Sequence, residues 1–373
     1  MLQLAVMLGD SVDTFPIDIL RDFTTRVFLH CDMPEEDARL AADVLAVGDL
    51  RGIESHGIAR LWAYVRLFEQ KAVNPRPMLK VIHETPSTAT VDGDGGLGLV
   101  VGPKANRIAL EKASEVGTGW VAVRKSSHFG IAGYYALMAV QRDMIGWSMT
   151  NSSALVAPLG GIDRRLGTNP LAVAFPAGDE QPIVIDMATS VVSGGKIEIA
   201  RYKEEQVPDG WLLDDQGRPT NDSNALHGNG SLLPLGGDRE RGGHKGYCLA
   251  AMVDLLCGVL SGADWGPLVS GFAVANIDVS SDDSGGWGHF FGAMQIDAFS
   301  NVTEFKQRVD DWICSMRSSR PQAGTEGPLI PGEPEYLATV ERTQSGIPLS
   351  PRVVESLRNV IRQTGVRLKG ITP

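Results

Sequence analysis

Gly93-Asp94-Gly95-Gly96-Leu97-Gly98 follows the strand-like run Ala89-Thr90-Val91 and precedes a helix-like stretch over 103–116. The spacing is GxGxxG, and its setting is the one a dinucleotide-binding turn of a doubly wound fold requires. The residues that follow do not fit. The next strand ends in Val123-Arg124-Lys125, where a fold of that class offers an acid to the ribose hydroxyls. The strands after it lack a regular alternation with helices. The stretch therefore reads as a turn. The Rossmann version left open is an NADP site with Arg124 on a phosphate.

Working outward, helices are expected over 17–30, 34–52 and 55–71, from apolar residues at helical spacing and from Pro34 with three acids behind it. Short β-like runs then appear at 120–123, 145–149, 171–175, 183–185, 271–279 and 289–296, separated in places by helical stretches at 103–116, 132–142 and 245–260. Helices at 302–317 and 351–362 flank a Pro/Gly/Ser-rich loop over 317–335. This is an α/β or α+β enzyme with a helical N-terminal part (1–80), a sheet domain (81–300) and a C-terminal part (301–373) that rejoins the first.

The 373 residues, 43% of them hydrophobic, supply a large core, and 43 glycines cluster between apolar segments as turns and ligand-approach loops. A net charge of −11 without a basic run argues against nucleic acid. The four cysteines (Cys31, Cys248, Cys257, Cys314) form no CxxC pair, which speaks against a zinc knuckle or a disulfide framework and for a reducing cytoplasm. No metal site is expected, since no two of the seven histidines stand three or four residues apart. Neither a leader with a basic region nor an apolar run of membrane-spanning length is seen.

The chemistry concentrates in Glu54-Ser55-His56-Gly57-Ile58-Ala59-Arg60-Leu61-Trp62-Ala63-Tyr64. On a helix, His56, Arg60 and Tyr64 would share a face. Together they offer an acid/base, a bidentate carboxylate binder and a phenol, the groups needed to protonate a carbonyl as hydride arrives while the carboxylate of a 2-oxo acid is held. The same stripe also reads as the solvated face of an amphipathic helix. Ser126-Ser127-His128-Phe129-Gly130, at a strand end before a helix, suits a cofactor or a capping turn. Gly242-Gly243-His244-Lys245-Gly246-Tyr247 places cations at a helix start, for a phosphate or for solvent, and Asp186 ends a strand in what reads first as an ordinary turn and second as an acceptor for ribose hydroxyls.

Six segments in this order, Leu50-Arg51-Gly52-Ile53-Glu54-Ser55-His56-Gly57, Ser127-His128-Phe129-Gly130, Leu166-Gly167-Thr168-Asn169-Pro170, Asp186-Met187-Ala188-Thr189-Ser190, Gly243-His244-Lys245-Gly246-Tyr247 and Gly288-His289-Phe290-Phe291, make the chain similar to the type-2 malate/L-lactate dehydrogenases, which include sulfolactate and ureidoglycolate dehydrogenases. The resemblance covers nearly the whole chain. It implies a non-Rossmann fold, with a central, largely antiparallel cofactor-binding domain on a helical domain made from both chain ends. It also implies a homodimer with the active site near the subunit boundary, and NAD or NADP as cofactor, NAD being favoured.

Position by position, the resemblance implies His56 as proton donor/acceptor oriented by Ser55, Arg60 as carboxylate binder, and Thr168 as a further substrate contact. In some relatives the histidine matching His128 is the acid/base instead. His128, Phe129, Gly130, Ile131, Ala132 and Gly133 resemble a cofactor-lining turn. Asp186, Met187, Ala188, Gly194, Gly195, His244, Lys245, Gly332 and Glu333 resemble further nucleotide contacts. Two departures stand out. Lys196 occupies a position that is acidic in the piperideine-carboxylate reductase branch, which disfavours imine reduction. Pro331-Gly332-Glu333-Pro334-Glu335 lacks the arginines that often follow this motif. The expectation is an NAD(P)-dependent dehydrogenase of a small 2-hydroxy acid. A sulfolactate or ureidoglycolate substrate, or a catalytically silent nucleotide-binding protein on the same fold, is the alternative.

Overall fold

The computed structural model describes residues 13–271 and 285–372. The chain runs β1 (Asp13–Phe15), α1 (Ile17–His30), α2 (Glu35–Leu50), α3 (Leu61–Glu69), β2 (Lys80–Glu84), β3 (Thr88–Asp92), α4 (Gly98–Val116), β4 (Thr118–Ser126), α5 (Ala132–Val140), β5 (Met144–Thr150), β6 (Leu171–Phe175) and β7 (Ile183–Met187). It continues through α6 (Gly194–Tyr202), β8 (Leu212–Leu213), β9 (Pro219–Thr220), β10 (Ser231–Leu232), α7 (Gly243–Asp254), β11 (Trp287–Gln295), α8 (Val302–Arg317), α9 (Glu333–Ser345), β12 (Ile347–Leu349) and α10 (Pro351–Thr364). Two compact units result, one of residues 1–69 with 335–373 and the other of residues 70–334.

The first unit is helical. α1 buries Leu20, Phe23, Thr24, Val27 and Phe28, a stripe at 3.6-residue spacing, and each such large apolar side chain contributes about 1.5–3 kcal/mol. α10 closes the same core with Val354, Leu357, Val360 and Ile361. Its start is set by Ser350, which accepts the Val353 N–H, with Pro351 behind it, and its end by Gly365 in the left-handed region. β1 pairs antiparallel with β12, so residues 13–15 and 347–349 are joined by backbone hydrogen bonds.

The second unit is built on a seven-stranded sheet in the order β2-β3-β4-β11-β5-β6-β7. Only β3 and β4 pair in parallel; the other neighbours are antiparallel. One core forms from Val91, Val101, Ala105, Val121, Val123, Ala136 and Phe291, joining the sheet to α4 and α5. Val173, Val253 and Cys257 form another with α7, and Ile183 and Ile313 a third with α8. β8, β9 and β10 make a small separate sheet.

Most of the expected strands and helices form, while β2, α6, β8, β9, β10 and α9 are not expected from the sequence, and several expected elements differ. The expected helix over 55–71 breaks into two 3-10 turns, Glu54–His56 and Ile58–Arg60, ahead of α3. Gly57 between them is extended (φ −95°, ψ −147°), so a continuous helical face from His56 to Tyr64 does not form. The helix expected over 245–260 begins at Gly243 and ends in a π-turn, Leu255–Val259. The strand expected at 271–279 lies outside the described residues but for Gly271.

The GxGxxG stretch is the junction of the β3-α4-β4 crossover, and the N–H groups of its four glycines and of Asp94 are bonded within the fold. The N–H groups of Gly93 and Gly95 donate to Arg124 and Lys125 carbonyls and that of Gly96 to Gly93. Asp94 N–H donates to Asp92 and Gly98 N–H to Ser127 Oγ. A Cβ on Gly98 would lie 2.1 Å from the Ser127 carbonyl oxygen, so this helix start is plugged by backbone rather than open to pyrophosphate. Arg124 pairs with Asp92 (3.0 Å). Both Rossmann readings fall with those contacts.

Candidate active site

In the helical unit, α2 hands the chain to the Ser55-His56 turn. Asp49, 3% exposed, accepts the Ile58 N–H at 2.8 Å. This close return requires glycine at 57, where a Cβ would stand 1.9 Å from Asp49 Oδ1. Burial raises the Asp49 pKa to about 7, helped by the charge of Glu54 and opposed by the Ile58 hydrogen bond and Arg342.

Ser55 Oγ lies 2.8 Å from His56 Nδ1. Burial, then the neighbouring Arg60 charge, pushes the His56 pKa down to about 4, so the imidazole is neutral at pH 7. Arg60 Nε donates to the Ser55 carbonyl at 2.7 Å. Burial lowers the Arg60 pKa as well, although a guanidinium stays charged at neutral pH. Tyr64 is wholly enclosed and meets the Phe28 ring edge-on at 6.2 Å. Its pKa is raised by burial. The structure thus gathers Ser55, His56 and Arg60 on successive turns and places Tyr64 in the core behind them.

In the sheet unit, strand register brings the other candidates to one end of the sheet. Ser126 pairs with Trp287, His289 with Thr150, Met149 with Leu171, and Leu171 with Met187. The segments following β4, β5 and β7 and preceding β6 therefore converge. Thr168 N–H donates to Ser152 Oγ at 3.0 Å. Thr189 Oγ1 donates to the carbonyls of Thr168 (3.1 Å) and Asn169 (3.0 Å). Asn169 Nδ2 reaches the Ala250 carbonyl of α7 at 3.1 Å.

His128 is 8% exposed. Its Nδ1 accepts the Gly130 N–H at 3.3 Å, and its ring meets Trp287 edge-on at 5.6 Å. An accepting Nδ1 leaves the proton of a neutral ring on Nε2. Phe129, Ile131 and Ala132 are buried beside it, at 1%, 4% and 2% exposure. Asp186 Oδ2 accepts the Gly133 N–H at 2.7 Å, a carboxylate at the start of α5 where the helix dipole favours it.

Met187 and Ala188 are half-buried beyond Asp186. Gly194 and Gly195 open α6, with no atom nearer than 3.5 Å and 4.0 Å to the positions their Cβ atoms would take. His244 and Lys245 are exposed in the first turn of α7. Gly332 packs on Val184, whose N–H donates to the Pro331 carbonyl. Glu333 accepts the Ile330 N–H (2.9 Å) and pairs with Arg317 (2.9 Å).

His289, in the quoted Gly-His-Phe-Phe segment, is a core residue. It is 0% exposed, bonded to Thr150 and Ser126 hydroxyls (2.8 and 2.7 Å) and stacked on Phe129, and burial pushes its pKa down to about 3. Among the described residues no three His, Cys, Asp or Glu side chains gather as a metal-binding group, and no helix is long and apolar enough to cross a membrane.

Sequence reasoning missed Asp49, Ser152 and Arg342. Asp49 had a signal: an acid in the last turn of a helix opposes the dipole and needs a compensating partner.

The sequence model of the family described as malate/L-lactate dehydrogenase matches residues 15–358. Malate dehydrogenase of Pyrococcus abyssi is 46% identical over 94% of this chain and 95% of the relative. L-sulfolactate dehydrogenase of Methanocaldococcus jannaschii is 38% identical over 95% of each. The solved structure of malate dehydrogenase from Pyrococcus horikoshii superposes with a TM-score of 0.86 at 42% identity, covering 96% of this chain and 99% of the other. With its mixed sheet-and-helix fold matching that structure along nearly its whole length, the chain belongs to the malate/L-lactate dehydrogenase family of oxidoreductases.

Proposed function

We propose that the protein interconverts a small 2-hydroxy acid and its 2-oxo acid with a nicotinamide dinucleotide as hydride partner, and that malate and oxaloacetate are its substrate pair. The observation that carries the reading is the Ser55–His56 contact with His56 held neutral beside Arg60. When Nδ1–H donates to Ser55 Oγ, the Nε2 lone pair takes the hydroxyl proton as hydride departs, and Ser55 steadies the imidazolium that forms. Arg60 grips the carboxylate with its planar pair of donors. Thr168 adds a hydroxyl contact. His128 differs, because its Nδ1 accepts the Gly130 N–H and the proton of its neutral ring is then on Nε2, a form that does not take up a proton there. This favours His56 as the acid/base. The malate assignment draws on the names of relatives 46% and 45% identical; sulfolactate, a similar anionic 2-hydroxy acid, is the second candidate through the 38% relative.

The bound dinucleotide would supply the hydride acceptor. Residues of the sheet unit fit its parts. The open starts of α6 at Gly194 and Gly195 and of α7 at His244 and Lys245 suit the pyrophosphate. Asp186 suits ribose hydroxyls, and the turn from His128 through Phe129, Gly130, Ile131 and Ala132 to Gly133, with Met187 and Ala188, suits the nicotinamide end. Gly332 and Glu333, bonded as described, support β7 from behind. NAD is favoured over NADP, and a cytoplasmic homodimer is the working form.

The test follows NADH and NADPH oxidation with oxaloacetate, pyruvate, sulfopyruvate and oxalurate. Turnover is expected with NADH and oxaloacetate. A folded protein that binds either cofactor and turns over none of the four would overturn the reading.

A further inference from the structure

We propose that Arg342 and Asp49 are positioning residues for the proton-transfer turn, a clamp that the last part of the chain sets on the loop after α2. The proposal rests on His56 as the acid/base and deepens that reading. Arg342, in α9, has a side chain only 15% exposed. One Nη donates to the Asp49 carbonyl at 2.7 Å and the other to Glu54 Oε1 at 2.6 Å. A planar guanidinium thereby fixes the span from residue 49 to residue 54. The Asp49 side chain fixes the span from 49 to 58 through the Ile58 N–H at 2.8 Å. Ser55 and His56 lie between those two anchors, and the Arg60 bond to the Ser55 carbonyl couples the carboxylate binder to the same turn.

Fold stability alone is a poor reason for this arrangement. A buried acid at a helix C-terminus opposes the helix dipole, and burial penalises its charged form. What the arrangement delivers is a fixed position for two side chains, and a reacting group misplaced by about 1 Å can lose about 100-fold in rate.

The experiment compares full-length Arg342→Met, Arg342→Lys and Glu54→Gln, with Arg342→Met also placed in a His56→Ala background. The readouts are kcat and KM for the oxo acid, the dissociation constant of NADH by fluorescence, and Tm. Arg342→Met is expected to lower kcat about 10- to 100-fold, with NADH affinity within about 2-fold of the parent. Arg342→Lys should recover part of the loss, because an ammonium still meets Glu54 but cannot span both acceptors. In the His56→Ala background, Arg342→Met should cause no further fall, since its effect passes through His56.

A parent-like kcat in Arg342→Met, or the same fold-loss repeated on top of His56→Ala, overturns the clamp while His56 stands. Normal turnover in His56→Ala overturns the assignment of His56 and the clamp with it. Where Arg342→Met does not fold, Glu54→Gln gives a milder comparison: it takes the charge from one of the two acceptors and leaves Arg342 on the Asp49 carbonyl, so kcat should fall by less than in Arg342→Met with NADH affinity unchanged, and a parent-like kcat overturns the clamp.

Discussion

Replacing Gly57 with alanine puts a methyl group where there is no room for one. The added Cβ would sit 1.9, 2.3 and 2.6 Å from Oδ1, Cγ and Oδ2 of Asp49. The backbone at 57 is not in the left-handed region, so the strain is purely a matter of contact. Asp49 is short and 3% exposed, and its carboxylate can yield only by leaving the Ile58 N–H. Loss of a buried hydrogen bond to a charged group costs about 1.5–3 kcal/mol. The stiffer unfolded chain returns about 0.4–1 kcal/mol. The net loss is about 1–2 kcal/mol, read as a lower urea midpoint at constant slope, and kcat should fall with it because the Ser55-His56 turn shifts. Gly228→Ala is the control: its Cβ would meet nothing closer than the Ala225 carbonyl at 3.6 Å, and its stability should stay within about 0.5 kcal/mol of the parent. If the two alanine variants prove equally stable and equally active, the close-approach reasoning is wrong.

The low His56 pKa sets a pH dependence. The base form exists at every pH above about 4, so kcat/KM for hydroxy-acid oxidation should stay level from pH 8 to 5 and decline only near 4; a limb at the ordinary imidazole value of about 6.5 would refute it. A limb near 7 that disappears in Asp49→Asn would instead report Asp49, which titrates there. At Asp186, alanine should cost about 1 kcal/mol through loss of the α5 cap and weaken cofactor binding. Asparagine should keep the cap and still weaken binding. Calorimetric affinities for NADH unchanged in both variants would remove Asp186 from the nucleotide site.

Much of the fold is legible in the sequence because period and punctuation agree. α1 shows its apolar stripe and α10 its Ser-Pro start, while Leu171–Phe175 is a continuous apolar run of the kind a buried strand requires. β2 is illegible for the opposite reason: all five of its residues are exposed, so no alternation marks it. The His56 stretch misleads in an instructive way. Residues spaced by four fit a helix, yet two tight turns separated by an extended glycine carry the same residues, and Tyr64 ends in the core. For the candidate site, glycine-rich strand ends and the Ser-His pair are local features and can be read locally. The bonds from Arg342 to residues 49 and 54 span 293 and 288 positions, and no periodicity reaches that far. The GxGxxG match shows the limit of pattern without accounting, since only the assignment of its glycine N–H groups to carbonyls and a side chain empties it of a phosphate.

The pairing of β1 with β12 bears on how the protein is made. The unit of residues 70–334 is made before residue 335 is added, whereas the unit bearing His56 lacks β12 and α10 until residues 347–364 are made. At about 5–20 residues per second, α1 to α3 wait roughly 15–59 s with their apolar stripes uncovered by α10. A chain that terminates before residue 335 would carry every residue of the Ser55-His56-Arg60 group and still lack the helix and strand that complete its unit.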